Sequence, residues 1–369
     1  VRSTPLVAGR PVTLQLAVAE AARLVASARL PLVAGLGTDV AGVRAAARLA
    51  DRCGGVVDHM NSAASVRNLL VMQDGGWIAT TLSEVRNRAD LLLVVSSDVG
   101  GRFPRFFERC VTPKETLFTK ERRCDVVFLG SALPKESEWP GPAPELVPCD
   151  PERLHEAFSV LRTIVAGRPV AAREAGGAPV GVWRKLANRL RAARYGVATW
   201  AAADFEFPHA ELTIQVLCEL VKDLNRETRF SSLPLGGSEG DVTAESVLLW
   251  QTGYGTRTSF SRGRPEHDSY HFSTARLLAT GGADLLLWIS SFNEARIPPA
   301  TAVPTIVLGR DGMALERQPA VFIPVGTPGV DHAGHLFRTD RVVALPVRRL
   351  RDSPLPSVAD AIAAIEAAV

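Results

Sequence analysis

The sequence predicts an α/β protein made of two related parallel-sheet units. Three observations carry that prediction. Continuous apolar runs such as Leu91-Leu92-Leu93-Val94-Val95 and Leu285-Leu286-Leu287-Trp288-Ile289 read as strands buried on both faces. These runs alternate with segments of helical periodicity. The pattern also repeats: Ala89-Asp90-Leu91-Leu92-Leu93 returns 194 residues later as Ala283-Asp284-Leu285-Leu286-Leu287, and the same offset maps Arg102-Phe103-Pro104 onto Arg296-Ile297-Pro298.

In chain order, residues 13–28 place apolar side chains at helical spacing, with Thr13 as the N-cap. Leu32-Val33-Ala34 is a strand that runs into Gly35-Leu36-Gly37, and residues 40–52 form a helix closed by Gly54-Gly55. Val56-Val57 completes a βαβ unit, which requires a parallel sheet. Strands follow at 90–96 and 126–129. The prolines at 134, 140, 142, 144, 148 and 151 then predict an extended connection over 131–151. A helix at 152–165 and a surface loop at 167–179 come next. The pattern restarts with a helix at 183–193, a strand at 196–200, a helix at 211–225 and a strand from 229. Strands at 284–290, 305–308 and 321–323 close the series. Val33-Ala34 before its glycines also matches Val197-Ala198.

Composition narrows the function. The chain has 369 residues, 46% of them hydrophobic and 22% charged, enough apolar material for two large cores without metal or disulfide staples. A net charge of +3, without a concentrated basic stripe, argues against nucleic acid. No run approaches the roughly 20 apolar residues of a membrane span, and no signal peptide is evident. Cys53, Cys110, Cys124, Cys149 and Cys218 are odd in number and widely spaced. That excludes zinc, redox-pair and iron–sulfur spacings, and it predicts a reduced, cytoplasmic protein.

Individual motifs are weak. Gly35-Leu36-Gly37 opens like a dinucleotide fingerprint, but Val40 stands where the third glycine belongs, so a tight turn explains it better. Asp331, His332 and His335 lack further ligands, so a polar loop is the expectation there, while His267, Asp268 and His271 lack a nucleophile, so loop packing or an interface contact is expected. The aromatic of Trp250-Gln251-Thr252-Gly253 reads as a core anchor. Arg184, Lys185, Arg189, Arg191 and Arg194 form a basic segment. It is either a solvated helix face or a docking patch for an acidic subunit or ligand.

Taken in succession, several stretches resemble the beta (B) subunit of formylmethanofuran dehydrogenase, a molybdopterin oxidoreductase. They are Asp58-His59 with Ser62-Ala63-Ala64-Ser65, Glu84-Val85-Arg86-Asn87-Arg88-Ala89-Asp90, Ser96-Ser97-Asp98, Pro104-Arg105, Leu249-Trp250-Gln251-Thr252-Gly253, and Phe260-Ser261-Arg262-Gly263. Val321-Phe322-Ile323-Pro324 with Gly329 and Gly334 extends the resemblance to most of the chain.

The departures are as informative. An active member carries a Cys or selenocysteine metal ligand in an Ala-Ser-Val-Cys-His-Gly-Pro-like stretch. Here the matching residues 61–68 read Asn-Ser-Ala-Ala-Ser-Val-Arg-Asn, and Arg67, which has no thiolate, stands about where the Cys would be. The four-cysteine cluster domain is missing, and Gly130-Ser131-Ala132-Leu133-Pro134 replaces the family's Asp-Pro-Arg pterin-nucleotide stretch.

This combination resembles the beta subunit of the formyltransferase/hydrolase complexes of methylotrophic bacteria. The resemblance implies two Rossmann-like parallel-sheet domains of the molybdopterin oxidoreductase type without an iron–sulfur domain. Residues 1–60 with 195–369 would form one domain and 61–194 the insert. It implies a non-catalytic structural subunit of a complex that converts formyl-tetrahydromethanopterin to formate through a methanofuran-type carrier. The partners would be the hydrolase, the transferase and a further subunit, with the carrier's acidic tail as a ligand for the basic segment. The pterin-bound molybdenum or tungsten and the iron–sulfur cluster are expected to be lost. No catalytic or metal-ligating residue is assigned, and Gly35, Gly37, Arg67, Ser96 and Ser97 are the candidates for a vestigial cleft. The alternatives are a coenzyme- or nucleotide-binding module on the same fold and an active metallopterin enzyme with a non-Cys ligand.

Overall fold

The computed structural model describes residues 4–118, 123–134 and 144–369, which form two units. One comprises residues 1–62 and 237–369, the other residues 63–236.

The first unit is built on a nine-stranded sheet. Its centre is parallel, in the order Val56–Val57, Pro31–Gly37, Leu285–Ser290, Thr305–Gly309, Val321–Pro324. Short antiparallel strands flank it, with Thr258–Ser259 and Glu266–His267 on one side and Leu6–Val7 and Arg10–Pro11 on the other. Alternation along the strands sends Val33, Leu287, Ile289, Ile306 and Ile323 to one face, against the helices Leu14–Ser27, Val40–Cys53, Asp241–Thr252 and Val358–Ala368. Leu32, Ala34, Leu286, Trp288, Val307 and Phe322 face the other way and meet Leu277, Met313 and Leu315.

The second unit has a five-stranded, all-parallel sheet in the order Arg229–Pro234, Tyr195–Trp200, Leu91–Val95, Asp125–Gly130, Glu145–Pro148. Leu91, Leu93, Val95, Val127 and Leu129 pack against the helices Leu154–Val165, Val180–Ala192 and Ala210–Leu224. Leu92, Val94, Phe128 and Val197 meet Val85, Phe106, Phe107 and Cys110 on the opposite face.

The sequence repeat has a structural cause. Asp284 accepts from the backbone N–H groups of Arg29 (2.9 Å) and Leu30 (2.9 Å), the residues that lead into Pro31–Gly37. Asp90 accepts from Arg194 (2.9 Å) and Tyr195 (3.0 Å), which lead into Tyr195–Trp200. In each unit, then, an aspartate ahead of one central strand clamps the start of its neighbour. Both central pairs are parallel.

Three expectations need correction. The return to the first domain falls at residue 237 rather than 195. Tyr195–Trp200 and Arg229–Pro234 complete the second sheet by pairing beside Leu91–Val95, which leaves residues 195–236 with the insert. The stretch 131–151 is not wholly an extended connection, since Glu145–Pro148 forms an edge strand, where its one proline, Pro148, is tolerated; Pro140 and Pro142 lie outside the described residues. Trp250 is no core anchor: it sits near the end of Asp241–Thr252 with 63% of its surface exposed.

Among the described residues no helix is long and apolar enough to cross a membrane. None of the five cysteines is joined in a disulfide.

Candidate functional site

Open parallel sheets bind ligands beyond the carboxyl ends of their strands, where the strand order reverses. Each unit has one such point, and the predicted cleft residues divide between them.

In the first unit the reversal lies between Pro31–Gly37 and Leu285–Ser290. Gly35 has φ +81°, and a Cβ there would come within 2.5 Å of the Ile289 carbonyl oxygen, so only glycine lets the two strands approach. At Gly37 the carbonyl accepts both from the Ser291 N–H (2.7 Å) and from the Ser291 hydroxyl (2.8 Å). A nucleotide phosphate would need the start of the following helix. That place is taken: buried Asp39 accepts from the Gly42 N–H at 3.0 Å. Buried Thr38 fills the space a Cβ on Gly42 would require.

In the second unit the reversal lies between Leu91–Val95 and Tyr195–Trp200, and it brings Arg67 and Ser97 to residues 201 and 202, with Ser96 just beyond the end of Leu91–Val95. Ser96 adopts a left-handed conformation (φ 42°) that turns the chain out of the strand, and its N–H donates to Leu129. The Ser97 hydroxyl donates to the Val95 carbonyl (2.8 Å) and accepts from the Ala201 N–H (2.9 Å). Asp98 donates its N–H to the Asp204 carboxylate (3.1 Å), which Arg102 also grips through Nε. Arg67, on the helix Ser62–Asp74, donates from Nη1 to the Ala202 carbonyl (2.9 Å). The next residue, Asn68, accepts from the Trp200 indole (3.0 Å). Burial pulls the Arg67 pKa down, against the support of Glu206 and Glu211. These groups cross-link the two loops. Ser97, hydrogen-bonded to backbone on both sides, is not activated by a histidine or carboxylate as a nucleophile requires.

The residues at this point do not fit a thiolate-bound metal. Arg67, which the family resemblance sets about where the ligand would be, carries a guanidinium with no lone pair to offer. The Cys149 and Cys218 thiols are pushed up to about 12, first of all by burial, so they stay protonated at neutral pH. No group of three or more His, Cys, Asp or Glu among the described residues is arranged to hold a metal ion.

A polar cluster in the first unit was legible only as part of the family resemblance. Asp58 accepts from the His59 N–H (2.9 Å) and from the N–H and hydroxyl of Thr274 (both 2.8 Å), with Arg257 at 3.8 Å. His59 accepts at Nδ1 from the Asn61 N–H (2.9 Å), which leaves Nε2 to donate to the Glu239 carbonyl (3.1 Å). Burial lowers its pKa, so the ring is a neutral structural strut. Nothing local in the sequence joins residue 58 to residue 274.

The two histidine clusters are only partly the loops expected: His267 ends the edge strand Glu266–His267, and His335 lies in the strand Gly334–Phe337. His267 lies 3.0 Å from the Thr256 carbonyl and stacks on Tyr254, while His271 pairs with Asp268 (2.9 Å). Asp331 is held by the Thr327 N–H (2.8 Å) and Arg351 (2.6 Å); His332 Nδ1 lies 2.9 Å from the Ala333 carbonyl, and His335 is exposed. In the basic segment, Arg189 pairs with Glu145 and Asp125, and Arg191 pairs with Glu227. Arg184, Lys185 and Arg194 are exposed. Two of the five charges are therefore already neutralised.

No family model matches the chain. Among individual proteins, it is 31% identical over 336 residues to the beta (B) subunit of the formyltransferase/hydrolase complex of Methylorubrum extorquens, covering 89% of this chain and 86% of that protein. It is 26% identical to the beta (B) subunit of tungsten-containing formylmethanofuran dehydrogenase 2 of Methanocaldococcus jannaschii, over 94% and 80% of the two chains. Among solved structures, it superposes with a TM-score of 0.83 and 29% identity on a chain of the M. extorquens formyltransferase/hydrolase complex crystallised with methylofuran, covering 99% and 98% of the two chains. Acetylene hydratase from Pelobacter acetylenicus, at 8% identity and a TM-score of 0.57, shares the fold over 97% of this chain and 59% of its own. The chain belongs to the family of formyltransferase/hydrolase complex beta subunits.

Proposed function

We propose that this chain is a non-catalytic structural subunit of a cytoplasmic formyltransferase/hydrolase complex, in which the formyl group of formyl-tetrahydromethanopterin reaches formate through a methanofuran-type carrier. In this reading the transferase and hydrolase chemistry belongs to partner subunits. The chain itself holds no pterin-bound molybdenum or tungsten and no iron–sulfur cluster.

One observation carries the reading. Arg67 stands about where the metal-ligating Cys of the related dehydrogenases would be, and its guanidinium is spent on the Ala202 carbonyl. A thiolate ligand has been exchanged for a cationic strut that ties two loops of the second unit together. The filled turn at Thr38 and Asp39 argues in the same direction against a nucleotide-binding module, because a buried carboxylate at the start of Val40–Cys53 repels an anion.

The test is a reconstituted four-subunit complex, assayed for formate release from the formyl-carrying coenzyme. Ser97→Ala and Asp204→Ala, introduced here, are expected to leave kcat and KM at the wild-type values while lowering the melting temperature of this chain. A fall in kcat of tenfold or more in an intact complex would show that the cleft takes part in the chemistry.

A further inference from the structure

Exposed apolar side chains on the first unit gather into a strip at one edge of its sheet. Trp250 is 63% exposed, Leu249 57% and Tyr254 43%. The helix Asp241–Thr252 ends at Gly253, so these three residues lie on its last turn and the turn beyond it. The Arg44 guanidinium sits over the Trp250 ring, 5.5 Å from its centroid. Tyr254 stacks on His267 at 6.0 Å, and His267 belongs to the outermost strand, Glu266–His267. Arg264 and Arg262 lie 3.1 Å and 3.7 Å from the single carboxylate of Glu266.

An isolated exposed leucine needs no explanation, but a joined strip of Trp, Leu and Tyr bordered by arginine does. Trp, Tyr and Arg are the residues that carry most of the energy in protein interfaces. Only Arg44 touches the strip directly, and on the edge strand beside Tyr254's partner His267 two further arginines, Arg262 and Arg264, share the one carboxylate of Glu266, so this edge carries more positive than negative charge. Such a border favours a partner that brings carboxylates, and it disfavours a second copy of the same positive strip.

We propose that the Leu249–Trp250–Tyr254 strip, with Arg44 at its border, is the face by which this chain docks an acidic surface of another subunit. That surface would offer an apolar socket for the indole of Trp250 and carboxylates for the arginines. The inference rests on the proposed membership of a multisubunit complex and adds to it the face that makes the contact.

The experiment co-expresses the chain with the three other subunits of the complex and measures assembly by light scattering and by titration of the isolated chain into the remaining subunits. Trp250→Ala with Tyr254→Ala is expected to weaken association by about 30-fold or more. Arg44→Glu is expected to weaken it by about tenfold, an effect that shrinks as salt rises. All three side chains are exposed, so the melting temperature of the isolated chain should not move. Variants that melt normally and assemble like wild type overturn the inference, and so does loss of a homodimer with the complex intact. If wild type itself fails to assemble, the functional reading falls and this face falls with it. If wild type assembles and the variants assemble equally well, only the face is wrong.

Discussion

The two units share a plan and differ in how they close the end where a ligand would sit. Each places a parallel central pair at its point of strand reversal, and each clamps that pair with an aspartate. In the first unit the closing is steric. Gly35 brings the backbones together, Thr38 fills the turn, and Asp39 caps the helix that follows. In the second unit the closing is polar, with Ser97, Asp204, Arg102 and Arg67 tying the two loops together. A site can thus be filled either by bringing backbone into the space or by saturating its donors and acceptors. The second route keeps polar side chains, so it still resembles an active site when only the sequence is read.

The largest expected effect tests the steric side. Gly35→Ala should destabilise the first unit by about 3 kcal/mol, because the new Cβ meets the Ile289 carbonyl and the residue is held at positive φ. Gly37→Ala should cost less, since its nearest neighbour is the flexible end of Met60 at 3.2 Å. Chemical denaturation of the two variants measures the difference, and equal costs would refute the account of the turn.

The next effect tests the equivalence of the clamps. Asp90→Ala and Asp284→Ala each remove a carboxylate that accepts backbone N–H groups, and each should cost its own unit about 2 kcal/mol. Burial pushes the Asp284 pKa up, but its hydrogen bonds to Arg29 and Leu30 outweigh that and hold it below 3.8. Its contribution is therefore present above the unfolded value and lost as pH falls through the folded one. Thermal melts of wild type and D284A should converge in acid. A gap that stays constant there would contradict the assignment.

Asp241 has the opposite sign. Burial, reinforced by Glu245, raises its pKa from 3.8 to about 6. The fold therefore favours the protonated form, and stability is full below about pH 4 and declines as pH rises towards 6. Asp241→Asn should stabilise the first unit by about 2 kcal/mol at pH 7 and make no difference at pH 3.5. A variant that melts below wild type at pH 7 would show that the carboxylate is needed as an anion. The smallest effect is expected at Arg189, whose partners Glu145 and Asp125 are well exposed. Arg189→Ala should move stability by about 0.5 kcal/mol or less, and a larger loss would mark the basic helix as structural.

What the sequence made legible follows from what is local. Helix Val40–Cys53, with Asp39 before it, and the strand runs 91–95 and 285–290 are written in consecutive residues, and they fall where periodicity places them. The repeat was visible because the Asp90 and Asp284 clamps need the same short motif. The boundary at 237 was not visible, because strand pairing between Tyr195–Trp200 and Leu91–Val95 joins residues over a hundred positions apart. Helix Ser62–Asp74 lacks a clean apolar stripe and escaped periodicity; its Arg67 drew notice only through the family resemblance. Trp250 was misread for a related reason: aromatic character alone does not distinguish a core anchor from a surface residue, and its exposure shows that it is not in the core.

The central claim is that the second unit's polar cleft holds a strut where a metal ligand once stood. The most direct measurement is the molybdenum and tungsten content of this chain, purified from its native host in the assembled complex. The account predicts no stoichiometric molybdenum or tungsten. A content near one atom per chain would contradict it and make Arg67 a neighbour of the metal instead of the replacement of its ligand.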